Sequence, residues 1–169
     1  MFLREAQPRE TTTATIFSEA QVQMLHDPAV RSAIETRLKA LRPDAQRQWG
    51  TMTPDQMLWH LNQFLVFALG EGGGAHERPN IPIPAPIIRF LLLHMPWPKG
   101  ARTNPKARAT GSHDFAAERE RCLKLIDRFV SLPLDGPWPV DATWGEVTGP
   151  FASKIQAKHF DHHLRQFNA

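Results

Sequence analysis

The spacing of hydrophobic residues predicts four long helices separated by loops that are rich in proline and glycine. In four stretches, apolar side chains recur every three or four positions, as expected for helices that each bury one face. The first stretch predicts a helix over about 28–41, and Asp27-Pro28 falls where its apolar stripe is interrupted. That stripe consists of Val22, Leu25, Val30, Ile34, Leu38 and Leu41.

The second helix has the clearest start signal in the chain. Thr53 is a natural N-cap, Pro54 occupies the first helical position, and Gln56 completes a capping-box pattern. The apolar spacing then continues to Gly70, a residue type that commonly follows the last turn of a helix. The sequence therefore predicts a helix from about 54 to 69.

A short helix and two further long helices are predicted in the rest of the chain. The short helix covers about 86–95 and ends at a segment with two prolines, 95–98. Ser112 is predicted to cap the third long helix, which extends to about Leu132. The terminal helix follows a turn-rich passage that ends at Pro150.

Length and composition are those of one ordinary globular domain. The chain has 169 residues, of which 41% are hydrophobic and 22% charged. No stretch alternates as a strand does, so we expect an all-α bundle over 18–169 after a flexible segment at 1–17. The net charge of +3 is a mild excess, and no nucleic-acid partner is expected from it.

Two further features bear on the location of the protein. Cys122 is the only cysteine, which excludes an intrachain disulfide and fits a reducing compartment such as the cytoplasm. The longest apolar run, at 87–95, is too short and too interrupted to span a bilayer. We therefore expect a cytoplasmic protein without stable membrane association.

Histidines are concentrated near the C-terminus, where His159, His162 and His163 fall within five positions. A rotation of about 100° per residue places His159 and His163 on one narrow helical stripe. The other members of that stripe are Ala152, Ile155 and Gln166, with Phe167 at its edge. The solvent-facing side is predicted to carry Lys154, Lys158, Asp161 and Arg165.

His60 is predicted to point inward from the second helix, because its neighbours on that face are Met57, Phe64 and Phe67. With His159 and His163 it can supply three imidazole nitrogens to one divalent ion, leaving a position open for water or substrate. The alternative is three separate core histidines, each bonded to a backbone carbonyl or a carboxylate. Two inward histidines at i and i+4, with a third on another helix, favour the metal.

The number of histidines does not separate zinc, nickel, iron and manganese, because imidazole suits several of them. We expect zinc or nickel, with iron or manganese as alternatives. His162 and Gln166 are candidates for orienting a metal ligand without binding the ion. For His162, which lies to the side of the stripe, packing at an interface is the simpler interpretation. No catalytic residue is assigned.

Three stretches of the chain resemble the DUF1569 branch of the DinB-like superfamily, a group of bacterial proteins. These stretches are 37–44, 48–60 and 159–167, and the likeness runs from about residue 17 to the C-terminus. The resemblance implies an up-down-down-up four-helix bundle that is commonly dimeric. It also implies a metal triad of one histidine on the second helix and two on the last, which maps onto His60, His159 and His163.

The same resemblance implies a range of chemistry. Some members of the superfamily are metal-dependent transferases that act on low-molecular-weight thiols, and others are hydrolases or isomerases. One segment departs from the pattern: related sequences tend to carry His-Pro-x-Phe-Gly before the last helix, where this chain has Asp141-Ala142-Thr143-Trp144-Gly145. The lost histidine and proline predict either a different substrate or a loss of activity.

The sequence thus predicts a homodimeric, divalent-metal-dependent enzyme that acts on a small molecule, as a thiol transferase or a hydrolase. The alternative is a non-catalytic dimeric bundle that holds a metal or a small ligand. A third hypothesis is peripheral membrane association through the apolar run at 87–95 and the basic loop that follows it.

Overall fold

Every regular element in the described part of the chain is a helix. The computed structural model describes residues 23–71, 83–100, 103, 105–139 and 147–169. Within them lie α1 (Pro28–Ala40), α2 (Pro54–Ala68), α3 (Ala85–His94), a 3₁₀ helix (Pro105–Ala107), α4 (Phe115–Val130) and α5 (Gly149–Gln166). The predicted all-α class is confirmed. The up-down-down-up order of helix directions stays a prediction, and the segment 1–17 lies outside the described residues.

The four long helices pack around one hydrophobic core. Helices α1 and α2 each contact both α4 and α5, and the contact of α2 with α4 is the most extensive. Burial of each large aliphatic or aromatic side chain in such a core contributes about 1.5–3 kcal/mol. The largest of these fully buried apolar side chains are Leu25, Ile34, Leu38, Met57, Leu58, Leu61, Leu65, Ile126, Phe129, Phe160 and Leu164.

The ends of α1 and α2 follow the sequence signals. The side chain of Asp27 accepts a hydrogen bond from the Ala29 N–H at 2.8 Å, which caps α1. At the start of α2, Gln56 Oε1 accepts from the Thr53 N–H at 3.1 Å, as the capping-box pattern predicts. Gly70 follows α2 with a φ of 76°, a left-handed conformation that favours glycine.

The start of α4 differs from the prediction. Ser112 was expected to cap this helix, but the N-cap is Asp114, whose carboxylate accepts from the Ala117 N–H at 3.0 Å. Both residue types are good caps, so the sequence alone does not separate them. The carboxylate has the further advantage of a negative charge at the positive end of the helix dipole.

Gly149 fixes the position at which α5 begins. A Cβ atom at this position would overlap the Leu134 carbonyl oxygen and the Trp138 indole nitrogen, so only glycine allows the helix to start here. The Thr148 hydroxyl accepts from the Phe151 N–H at 3.4 Å and caps the first turn. The helix then extends unbroken through the histidine-rich segment.

The buried face of α5 is wider than the predicted stripe. His159, His163 and Gln166 are buried as predicted, whereas Ile155 is only half-buried. The face also includes Ser153, Gln156, Phe160 and Leu164. The width arises because α5 packs against α1 on one side and against α2 and α3 on others.

Lys158 was predicted to face solvent but is half-buried against α3. Its ammonium donates to the carbonyl oxygens of Leu92, Leu93 and Met95 at 2.7, 2.9 and 2.6 Å. These carbonyls belong to the last turn of α3, where backbone acceptors have no helical partner and a positive charge is favourable. The side chain of Lys158 therefore anchors the end of α3 to α5.

Helix α3 lies at the edge of the bundle and has no fully buried residue. Its outer face exposes Ile87, Phe90 and Leu91, with exposed fractions of 51, 59 and 41%. Among the described residues, no helix has the length and apolar character needed to cross a membrane.

Candidate metal centre

His60 on α2 meets His159 and His163 on α5 in the interior of the bundle. The three residues, here called the three-histidine cluster, have exposed fractions of only 3, 4 and 8%. The Nε2 atoms of His60 and His159 are 3.1 Å apart, and the ring centroids lie 4.7–5.0 Å from one another. One nitrogen from each ring lies within 4.8 Å of the others, close enough for all three to bind one ion. The structure thus brings together the three histidines that the sequence singled out.

A backbone carbonyl sets the protonation of His60. Its Nδ1 lies 2.8 Å from the carbonyl oxygen of Ala107, which is fully buried in the 3₁₀ helix. A carbonyl can only accept, so Nδ1 carries the proton and Nε2 keeps its lone pair. That lone pair is directed towards His159. No sequence signal pointed to Ala107, because its contribution is a main-chain atom.

A side-chain amide does the same for His163. Gln166 Nε2 donates to the Trp49 carbonyl oxygen at 2.7 Å, which turns the amide oxygen towards His163. The His163 Nδ1–H can then donate to Gln166 Oε1, at a distance of 3.0 Å, and leave Nε2 as the lone-pair nitrogen. Gly50 makes room for this contact, since a Cβ atom there would lie 2.6 Å from Gln166 Nε2.

Burial keeps all three rings neutral. It lowers the pKa of His60 and, with His163 and His60 as further causes, lowers the pKa of His159 well below the usual value. For His163, burial followed by the nearby His60 lowers the pKa to about 3. Charged imidazolium is disfavoured because a buried cation loses its hydration. Neutral imidazole is also the form that binds a metal ion.

Aromatic rings enclose the cluster. The Phe64 ring lies 4.9 Å from His60 and 4.6 Å from His159, and the Trp97 ring lies 5.6 Å from His159. Trp97 is held in place by a hydrogen bond from its indole N–H to the Leu92 carbonyl oxygen at 2.8 Å. Trp97 was not among the predicted site residues, although a tryptophan between two prolines is typical of a fixed loop.

His162 lies beside the cluster and outside the group of converging nitrogens. Its ring packs against His163 at 5.1 Å and against Trp49 and Trp97, both at 5.7 Å. It is half-buried, and burial is the main reason that its pKa is lowered. Its interface packing and its role in orienting a ligand stay predictions, whereas Gln166 hydrogen bonds to His163 directly.

The geometry of the cluster fits a divalent ion. Nitrogen ligands at about 2.0–2.1 Å from a tetrahedral zinc ion are about 3.3 Å apart, close to the 3.1 Å between His60 and His159. Three protein ligands leave a fourth position open. The donor set is the one that imidazole-binding metals such as zinc, nickel and iron accept.

Cys122 makes no contribution to this centre. It is fully buried in the core on α4, and burial raises the pKa of its thiol. The thiol form is a poor nucleophile, as expected of a structural cysteine in a core.

The chain matches no protein-family model, no curated protein and no solved structure. The departure from the DinB-like pattern at 141–145 lies outside the described residues. Its expected effect on the substrate therefore stays a prediction.

Proposed function

We propose that this protein binds one divalent metal ion at His60, His159 and His163 and uses it as an enzyme on a small-molecule substrate. The reaction is a transfer to or from a low-molecular-weight thiol, or a hydrolysis. The observation that carries the proposal is the convergence of three neutral, buried imidazoles, two of which, His60 and His163, have their outer nitrogens fixed by other groups.

The convergence favours a metal over three unrelated core histidines. A histidine that only fills a core uses both ring nitrogens on protein groups, because an unpaired buried polar atom costs about 1–3 kcal/mol. In the cluster, Ala107 and Gln166 occupy the Nδ1 atoms of His60 and His163 and leave the Nε2 atoms for the interior. A proton shared between His60 and His159 satisfies one pair of nitrogens, whereas an ion satisfies all three rings at once.

The chain's own residues supply orientation and water exclusion. Gln166 holds the ring of His163, and the Ala107 carbonyl holds that of His60, as outer partners of metal-binding histidines commonly do. Phe64 and Trp97 shield the nitrogens from solvent. When bound, a divalent ion in such a site lowers the pKa of a thiol or water in its open position and makes it nucleophilic at neutral pH.

The resemblance to the DinB-like superfamily also supports a metal site at these three histidines. Its metal triad maps onto the three residues that meet in the core, and the class that it implies is all-α. Membership of that superfamily, and the dimer that it implies, are part of this proposal. Zinc and nickel are the metals that we expect first.

Elemental analysis of protein purified without chelators tests the metal site. We expect one divalent ion per chain in the wild type and none in His159→Ala. The matched control is His94→Ala, since His94 is an exposed histidine on α3 whose ring contacts Phe90. A metal-free wild type that takes up no zinc or nickel on titration would overturn the proposal.

A non-catalytic metal- or small-ligand-binding bundle is the second candidate function. It is favoured by the altered segment at 141–145, where the histidine and proline of related sequences are replaced. Incubating the metal-loaded protein with a thiol and an electrophile separates the two candidates. Sustained turnover that His159→Ala abolishes supports the enzyme, and metal binding without turnover of thiol or hydrolysable substrates supports the second candidate.

A further inference from the structure

A cleft of about 220 Å³ lies directly outside the three-histidine cluster. Its inner wall includes Trp97, which contacts His159, and His162, which contacts His163. We call it the tryptophan cleft, after Trp49 and Trp97 in its lining. A second cleft, of about 230 Å³, lies beside the start of α2, and its lining includes neither the three histidines nor the rings that contact them.

The tryptophan cleft is also connected to the cluster by hydrogen bonds that run from the Trp49 carbonyl through the Gln166 amide to His163. The carbonyl group of Trp49 accepts the hydrogen bond that orients the Gln166 amide, and that amide in turn accepts from His163. A molecule that fills the cleft would therefore touch residues that hold two of the three ligands in place. The cleft thus adjoins the cluster on the side of His159 and His163.

The charge of the cleft selects an anion. Lys99, Lys158 and Arg165 line it, against the single carboxylate of Asp161. That carboxylate is already paired, because Arg37 donates to it at 2.9 Å. Lys158 donates its hydrogen bonds to the carbonyls of α3, so directed contacts to a ligand fall to Lys99 and to Arg165, whose exposed guanidinium also lies 3.7 Å from Asp161 Oδ2. Such charge-assisted contacts favour an oxyanion such as a carboxylate.

The walls and the volume select a small ligand with a flat apolar part. Two indole rings line the cleft, and because an ammonium group lies over each of them, a planar group packs against the ring edges. A cationic ligand is disfavoured, because the ammonium groups of Lys99 and Lys158 already lie 4.8 and 5.7 Å from the centroids of Trp49 and Trp97. The volume is below the about 300–1,000 Å³ of pockets for drug-sized molecules.

We propose that the tryptophan cleft binds small aromatic carboxylates, with the carboxylate at Lys99 and Arg165 and the flat body against the tryptophans. That such a molecule is the substrate of the metal centre rests on the proposed function. Binding in the cleft itself needs no metal, since none of the three ligands lines it.

Titration of metal-free, full-length protein with benzoate and with benzamide tests this inference. The two molecules have the same shape and differ in charge. Followed by tryptophan fluorescence or by NMR shifts at constant ionic strength, benzoate should bind saturably and benzamide about tenfold more weakly, as the loss of a charge-assisted contact predicts. Equal binding of the two, or binding of neither, would overturn the inference.

Two lysine variants locate the effect. Lys99 is exposed, so Lys99→Met should fold and should weaken benzoate binding about tenfold while leaving benzamide unchanged. Lys124→Met removes the same charge from an exposed position on α4, which does not line the cleft, and should leave both titrations unchanged. If Lys124→Met weakens benzoate as much as Lys99→Met does, the binding is general charge attraction and the inference fails.

Metal content, measured in parallel, keeps this result separate from the proposed function. His60→Ala should lose the metal and still bind benzoate in the cleft. Benzoate binding by a wild type that takes up no metal would contradict the proposed function and leave the cleft proposal intact. Metal uptake without benzoate binding would contradict the cleft proposal and leave the proposed function intact.

Discussion

His26 and the three-histidine cluster are both held between helices, yet their ring nitrogens are used in opposite ways. At His26, Nε2 lies 3.1 Å from the Leu132 carbonyl oxygen and donates to it, so Nδ1 accepts from the Ser153 hydroxyl at 2.9 Å. Ser153 Oγ also accepts from the His26 backbone N–H at 3.1 Å. Both nitrogens of His26 are thus used by the protein, and the residue ties a turn before α1 to α5.

In the cluster, protein groups occupy only the outer nitrogens of His60 and His163, and the inner nitrogens converge. Ring contacts do not distinguish the two sites, although His26 is only half-buried: Phe129 lies 5.3 Å from His26, and Phe64 lies 4.9 Å from His60. The difference is the direction of the free lone pairs. A buried histidine is evidence for a metal only when its remaining nitrogen points at another ligand.

The largest expected effect is on metal-dependent stability. Zinc or nickel at about 100 times its dissociation constant should raise the free energy of unfolding of metal-free wild type by about 2.7 kcal/mol, because the ion binds only the folded chain. His159→Ala should show no increase, and His26→Gln should keep the full increase. Thermal denaturation with and without the metal measures both.

The contrary outcome of this experiment is specific. Equal stabilisation of wild type and His159→Ala would mean that the ion binds elsewhere on the surface. The proposed distinction between the two sites would then be wrong, since neither would bind the metal.

A smaller effect is expected from the residue that orients His163. Gln166→Ala should lower metal affinity about 10–100-fold, because the His163 Nδ1–H loses its acceptor and the ring loses its fixed orientation. Gln166→Glu keeps an oxygen acceptor for His163 but loses the amide donor to the Trp49 carbonyl, so it should recover only part of the affinity, which a purely structural role would not predict. Competition with a chromophoric chelator gives the affinities, and equal affinities for wild type and Gln166→Ala would contradict the orienting role.

The side-chain part of this comparison was predictable from the sequence. Helical spacing put His159 and His163 on one inward stripe and His60 on another, and all three are buried. The clear start signal at Thr53 fixed the register of α2, and hence the face on which His60 lies. Periodicity works here because all three histidines fall on the buried face of their helix, although on α5 that face is wider than the predicted stripe.

The main-chain and long-range parts were not predictable. The carbonyls of Ala107 and Trp49 decide which nitrogens are free, and a carbonyl group has no sequence signature. Lys158 was assigned to solvent because the helical wheel contains no information about α3, which covers it. Helical periodicity does not identify His26 as a structural residue, because the partners of its ring are 106 and 127 positions away.

Removal of His26 should affect stability and leave the metal alone. His26→Ala leaves the Ser153 hydroxyl and the Leu132 carbonyl without their ring partners, at a cost in the lower part of about 1–3 kcal/mol, since Leu132 is half-buried and water can reach it. Urea denaturation measures the cost, and elemental analysis should find the metal content unchanged. Loss of metal along with stability would mean that the two sites are coupled through α5, which carries Ser153 and two of the ligands.

A further effect is expected on the pH dependence of the metal-free protein. Burial lowers the pKa of His163 to about 3, so in the folded chain it stays neutral while the unfolded chain binds its proton below about pH 6.5. The unfolded state then holds more protons, and the free energy of unfolding falls as pH is lowered, by up to about 1.4 kcal/mol per pH unit for this residue.

In His163→Gln, the free energy of unfolding measured by urea denaturation should therefore fall less steeply between about pH 6 and about pH 4. His26→Gln should change the slope less, because the hydrogen bond to the Leu132 carbonyl favours the proton and opposes the effect of burial on its pKa. Equal changes of slope in the two variants would mean that the folded chain lowers the pKa of His163 no more than that of His26.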